Sequence, residues 1–183
     1  MAAVIDPKIY PSVPTTPKLI PVFTINLKFE KDPDNIFENS QVDKALSLAR
    51  LINGEIKTVE NQLGFELEAV GITGFDDLNA RPSLGAATLD CKLYGKTPNG
   101  AGVYITYGGV VQFTEASTSV ISGKSNTSEI DDSYVTCNPS FQFDSKVEDK
   151  YKWVLKENLF GKGRFVRGSD GVLYVQYFIY VFR

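Results

Sequence analysis

Asp76 and Asp77 directly follow Gly74-Phe75, where a glycine turn over residues 71–77 would leave two carboxylates near the rim of a sheet. A carboxylate beside an apolar wall loses hydration, its pKa rises, and it can act as acid or base near neutral pH. The plainer alternative is an aspartate pair that caps the turn. Asp90 lies between Leu89 and Cys91. It is a buried carboxylate in need of a partner if its strand face points inward, and a solvent group if it points outward. Arg81 can pair with Asp76 or Asp77, clamp an oxygen of a ligand, or sit at the surface. Gly161-Lys162-Gly163-Arg164 has the glycines and cations of a phosphate loop without the spacing of one, and reads as a solvated turn.

Histidine is absent from all 183 residues. That removes Ser-His-Asp and Cys-His nucleophile systems, the two-His-one-carboxylate iron site and nearly every catalytic zinc site. Acid–base work falls to Asp, Glu, Tyr, Lys, Cys or water. Neither G-x-G-x-x-G nor G-x-x-x-x-G-K-[ST] occurs, so a dinucleotide or P-loop phosphate has no recognisable cradle, and no cofactor and no metal are expected. Cys91 and Cys137 are too few for a disulfide framework or a structural zinc site and read as buried free thiols inside strands. The net charge is −3 and the Lys and Arg residues are scattered among acids, which argues against nucleic acid. Met1 to Pro7 lacks the pattern of a signal peptide, and no run approaches the ~20 apolar residues of a membrane span. A cytoplasmic protein with no membrane partner is expected.

The elements that must carry these groups are mostly strands. Val172 to Phe182 is apolar or aromatic on both alternating faces: Leu173, Val175, Tyr177, Ile179 and Val181 on one, Val172, Tyr174, Gln176, Phe178, Tyr180 and Phe182 on the other. One face must pack on a core or line a cavity, and the other asks for a helix, a second sheet or a partner subunit. Leu19 to Phe29 alternates in the same way. Strands are also expected over 46–59, with a turn-like Asn53-Gly54, and over 65–72, 80–96, 101–113, 133–143 and 163–167. Thr97-Pro98-Asn99-Gly100 is a strong turn signal. Residues 35–45 read as a short helix or loop, 114–133 as a polar loop or lid, and 150–160 as a helix. Prolines at 7, 11, 14 and 17 make residues 1–18 an extended arm. With nine Tyr, twelve Phe and one Trp, the remaining 19–183 read as one mainly β domain. The expected architecture is a single antiparallel up-and-down barrel with one or two short helices.

The order of motifs is similar to that of a bacterial and fungal family known as domain of unknown function number 3237, whose members look like calycin-type, lipocalin-like β-barrels. Pro21-Val22-Phe23-Thr24-Ile25 resembles its opening strand, and Gly74-Phe75-Asp76 its G-x-D-W stretch. Asn99-Gly100-Ala101 with Val103-Tyr104-Ile105 resembles its D-G-A-x-I-Y-V hairpin. Tyr134 to Phe141 sits on Y-F-R-T-x-P-x-F, and Tyr151-Lys152-Trp153-Val154-Leu155 on Y-x-W-L-N. Tyr104 and Tyr134 fall in these motifs, and the resemblance implies that they orient a ligand or donate a proton; Asp76 and Asp90 are the candidate carboxyl groups, and Arg81, Tyr107, Phe141 and Trp153 the candidate ligand contacts. Packing is the alternative for the tyrosines, and structural anchoring for Trp153. Asp77 replaces the motif's Trp, and Thr136 and Thr106 replace two of its arginines. Loss of those cations suits a neutral or aromatic ligand.

Three readings follow. The first is a cofactor-independent cyclase, isomerase or lyase of secondary metabolism acting on a hydrophobic small molecule inside the barrel. The second is a non-catalytic carrier. The third is a structural homodimer built on the outer face of the last strand. An ionisable pair deep in the pocket favours the enzyme, and satisfied tyrosines in an apolar pocket favour the carrier.

Overall fold

A computed structural model describes residues 16–183; most of the expected proline-rich arm lies outside them. Nine strands follow in chain order: β1 (Leu19–Phe29), β2 (Asp34–Asn39), β3 (Lys44–Thr58), β4 (Ala69–Arg81), β5 (Ala86–Lys96), β6 (Gly102–Gln112), β7 (Tyr134–Phe143), β8 (Leu159–Arg167) and β9 (Leu173–Phe182). Their order is β1-β9-β8-β7-β6-β5-β4-β3-β2, and a β1–β3 pairing closes eight of them into an antiparallel barrel with β2 as an extra strand on β3. Closure satisfies the strand edges that an open sheet would expose.

The alternation read from the sequence holds in β1 and β9. Phe23, Ile25, Leu27 and Phe29 point inward from β1, as do Leu173, Val175, Tyr177, Ile179 and Val181 from β9. The outer face of β9 is half-exposed, and cross-strand partners shield it in place of a covering layer: Phe160 meets Phe182 edge-on, Lys28 lies over Tyr174, and Gln176 bridges Arg164 and Asn26.

Glycine accounts for the main departure from expectation. Residues 71–77 do not turn the chain but run inside β4. Gly71 takes a left-handed φ of 60° at a register shift between Val70 and Thr73, and Gly74 lies so close to Lys92 that a Cβ would be 2.0 Å from its carbonyl oxygen. These are a bulge and a close strand approach, which glycine permits without ending the strand. Asn53-Gly54 is likewise a shift within β3. The chain turns instead at the 3-10 segment Pro82–Leu84 and at Gly85, which divides the strand expected over 80–96.

One barrel end is closed. Residues 60–68, expected in part as strand, form a loop tied by four hydrogen bonds of the Asn61 side chain. The 3-10 helix Asp149–Lys156 lies against it. Trp153 stacks on Phe65 at 4.2 Å, and its Nε1 donates to the Glu66 carbonyl at 2.7 Å. The other end is a mouth. A short helix, α1 (Glu115–Ile121), emerges there from the expected polar loop, capped by the Thr114 hydroxyl, which accepts from the Ser117 amide. Residues 34–39, expected as helix or loop, are strand β2. Among the described residues no helix is long and apolar enough to cross a membrane.

Candidate functional site

Side chains facing the lumen form rows across neighbouring strands. Nearest the mouth, Ala45, Ala80 and Ala87 align with Val111, and three small side chains leave the opening wide. Next come Ser47, Leu78 and Leu89. Below them Ala49, Asp76, Cys91 and Tyr107 form one row. Tyr177 faces this row from β9, with its ring 5.8 Å from that of Tyr107 at an edge-on angle of 64°.

The row places polar groups deep in the barrel. Asp76 is 6% exposed, and neither its Oδ1 nor the Tyr107 Oη makes a hydrogen bond, though both are fully buried. Burial pushes the Asp76 carboxyl up to about 7; the Asp90 backbone amide and the nearby Tyr107 hydroxyl draw it down in part, while the Asp77 and Asp90 charges push it further up. Burial first, then the surrounding acidic groups, raises Tyr107, Tyr177 and Cys137 well above their ordinary values; Cys91 rises for the same first reason and through the Asp76 charge. At neutral pH the thiols and phenols therefore keep their protons, and Asp76 is poised between its two forms. Both cysteines are free and buried, as expected.

The glycines of 161–164 serve this cluster rather than a phosphate. Lys162 and Arg164 lie in β8, not in a turn. A Cβ on Gly161 would be 2.3 Å from Cys137 Sγ, and one on Gly163 would be 2.5 Å from the Gln176 carbonyl oxygen and 2.6 Å from Tyr177 Cδ1. Gly163→Ala is expected to displace the Tyr177 ring and cost about 1–3 kcal/mol, read as a lower urea midpoint. An unchanged midpoint would refute the crowding.

Two cavities lead to the row. An outer chamber of about 330 Å³ opens at the mouth, walled by Phe29, Phe113, Phe165 and Ile121 with Ser47 and Asp32 as its polar edge. Beneath it a chamber of about 10 Å³ touches Asp76, Tyr107 and Tyr177.

Of the residues singled out from sequence, the fold brings together Asp76 and Tyr107. Asp76 reaches its place from mid-strand, not from a turn at the rim. Asp90 points outward and pairs with Lys92 at 2.7 Å, because it aligns with Asp77 rather than Asp76. Tyr104 is also on the outer wall, stacked on Tyr94 at 5.3 Å, and Tyr134 is 45% exposed at the start of β7. Arg81 lines a separate groove of about 340 Å³ with Lys44 and Phe37 that holds none of the buried reactive groups. Phe141 is buried edge-on against Phe23, and Trp153 packs against Phe23 and Phe65. Both belong to packing at the closed end, away from Asp76. Tyr177 is a site residue that the sequence reading missed: alternation groups it with Leu173, Val175, Ile179 and Val181 but does not say which face is inner, and only closure shows what it meets.

Solved structures of the same shape exist. A conserved protein of unknown function from Rhodopseudomonas palustris superposes with a TM-score of 0.67 at 18% identity, covering 93% of this chain and all of its own. A beta-barrel like protein from Acinetobacter baumannii gives 0.60 at 13% identity, with 93% and 98% of the two chains covered. A protein described as an enzyme from Penicillium herquei gives 0.53 at 17% identity, with the same coverage. At these identities the likeness is one of fold. No curated protein matches the sequence. The sequence profile of the family described as "Protein of unknown function (DUF3237)" matches residues 17–182, nearly the whole chain, and the protein belongs to that family.

Proposed function

We propose that the protein is a cofactor-independent enzyme of the isomerase, cyclase or lyase type, moving a proton on a hydrophobic small molecule bound at the barrel mouth. The observation that carries this reading is the buried Asp76 carboxyl, whose Oδ1 has no hydrogen-bond partner, beside the buried Tyr107 hydroxyl, which has none either. A carrier gains nothing from burying two such atoms without a protein partner, at a cost of about 1–3 kcal/mol each. An acid–base enzyme does, since a carboxyl titrating near 7 both takes and returns a proton at neutral pH. In the simplest reaction, the Asp76 carboxylate takes a proton from the carbon beside a ligand carbonyl. The C–H electron pair forms the enolate, and the Tyr107 hydroxyl donates to the oxygen that gains charge. Return of the proton from Asp76 to the same or another carbon completes exchange or isomerisation. The description of the Penicillium herquei neighbour as an enzyme is in keeping with this reading.

The test is hydrogen–deuterium exchange of 4-phenylbutan-2-one in heavy water, followed by NMR. The wild type is expected to accelerate exchange over buffer, with the rate climbing as pH passes through about 7. Asp76→Asn is expected to lose about 100-fold or more. Tyr107→Phe is expected to lose about 100-fold while keeping its folding stability, because its hydroxyl has no partner to forfeit. Exchange that survives intact in Asp76→Asn would remove Asp76 from the reaction.

A further inference from the structure

The outer and inner chambers share three wall residues: Phe29, Leu78 and Phe165. Phe29 and Phe165 stand 6.5 Å apart, ring centre to ring centre, and meet edge-on at 61°. Leu78 faces the lumen two residues from Asp76 on β4, about 7 Å nearer the mouth. These three side chains stand between the mouth chamber and the chamber that touches the carboxyl. On the mouth side lies room for a ring-sized body; on the far side lies about 10 Å³, the space of one water molecule at most.

The geometry points to the Phe29–Leu78–Phe165 constriction as the sizing element of this site, with Leu78 determining which part of a ligand reaches Asp76. The ligand class that follows is an uncharged molecule with an apolar, ring-sized body and a slender end whose leading group is about the size of a methyl. The body rests among Phe113, Ile121 and Phe165, where no Lys or Arg lines the wall. The Arg167 guanidinium, two residues along β8 from Phe165 and so on the same strand face, is taken up by the Val120 and Ile121 carbonyls, the Gly171 carbonyl and Asp32. An anionic body would therefore find no free partner there. Leu78 is the adjustable member because it is only half-buried at the mouth, whereas Phe29 and Phe165 are both packed into the barrel wall. This inference rests on the proposed role of Asp76 only for what happens after the group arrives.

The experiment compares two ketones with the same ring body, 4-phenylbutan-2-one and its tert-butyl counterpart 4,4-dimethyl-1-phenylpentan-3-one, by carbon-13 NMR. The two signals followed are the Ile121 methyl groups at the mouth and the Asp76 carboxyl carbon below. In the wild type both ketones are expected to shift Ile121, and only the methyl ketone to shift Asp76. Leu78→Ala is expected to let the tert-butyl ketone shift Asp76 as well. Leu78→Phe, which narrows the passage, is expected to abolish the Asp76 shift for both while that of Ile121 persists, and it covers the case in which the alanine variant does not fold. Equal Asp76 shifts from both ketones in the wild type would overturn the constriction. So would a folded Leu78→Ala protein with unchanged discrimination, or an Ile121 signal that neither ketone moves. Size discrimination without catalysed exchange would sink the acid–base reading alone, and catalysed exchange without size discrimination would sink the constriction alone.

Discussion

Stability of the wild-type protein is expected to fall by about 3 kcal/mol as pH rises from about 4 to about 7, and Asp76→Asn is expected to erase that fall. The folded-state value near 7 stands about three units above the ordinary 3.8, and each unit is worth about 1.4 kcal/mol. The sign follows from which state holds the proton. Between the two values the folded chain keeps Asp76 protonated while the unfolded chain has released it, so raising the pH favours unfolding. Stabilisation is complete below the unfolded value and lost once pH passes the folded one. Asn is nearly isosteric and never charges, so its profile over the same window should be flat, close to wild type at pH 5 and above it at pH 8. Other carboxyls act at the acid end with opposite sign. Asp43, Asp144, Asp149 and Asp170 are held below their ordinary value chiefly by hydrogen bonds from Ser83, Gly102, Lys152 and Lys28. Their contribution disappears only below about pH 4, outside the window that Asp76 governs. Denaturant midpoints at pH 5, 6, 7 and 8 measure the effect, and parallel wild-type and Asp76→Asn curves would refute a buried carboxyl titrating near neutrality.

How far the site could be read from the chain depends on what each residue needed to know. Strand β9 showed its two alternating sets, with Tyr177 among Leu173, Val175, Ile179 and Val181, but both sets are apolar or aromatic, so the choice of inner face came from the structure. The facing of Asp90 was open to a closer reading, since Leu89, Cys91 and Leu93 form the apolar set and Thr88, Asp90 and Lys92 the polar one. Asp76 was harder. Gly71 and Gly74 carry the same local signal in a turn and in a bulge, and only the partner strand distinguishes them. The Ala49, Asp76, Cys91 and Tyr107 row is a property of register across four strands, and the approach of Tyr177 is a property of closure; neither exists in any one segment. The helix α1 did leave a local trace, in Thr114 three residues before Ser117, that the surrounding Ser and Thr residues obscured. For residues 65–68 the apolar alternation pointed to a strand, but Asn61 offers the backbone a competing set of hydrogen bonds and the loop wins.

Trp153→Ala is expected to cost about 3–5 kcal/mol of folding stability and to leave the Asp76 midpoint near 7 unmoved. The indole is lost with its stack on Phe65, its contact with Phe23 and its hydrogen bond to Glu66, all at the closed end. Between that end and the reactive row lie buried side chains such as Ile25, Leu93 and Ile105, which no part of Trp153 replaces. Trp153→Phe should recover part of the loss through the retained ring packing, but not the hydrogen bond to the Glu66 carbonyl. The pairing of the two readouts is what gives the variant its force. A ligand-binding tryptophan would change occupancy of the outer chamber and, through it, the titration of Asp76. A plug changes only the free energy of holding the barrel shut. Urea midpoints with the carbon-13 titration of Asp76 therefore separate the two roles, and a midpoint for Asp76 that moves in folded Trp153→Ala would return the indole to the functional site. The unmoved value is expected because the outer chamber opens on the opposite end, where Phe29, Leu78 and Phe165 stand between solvent and the carboxyl.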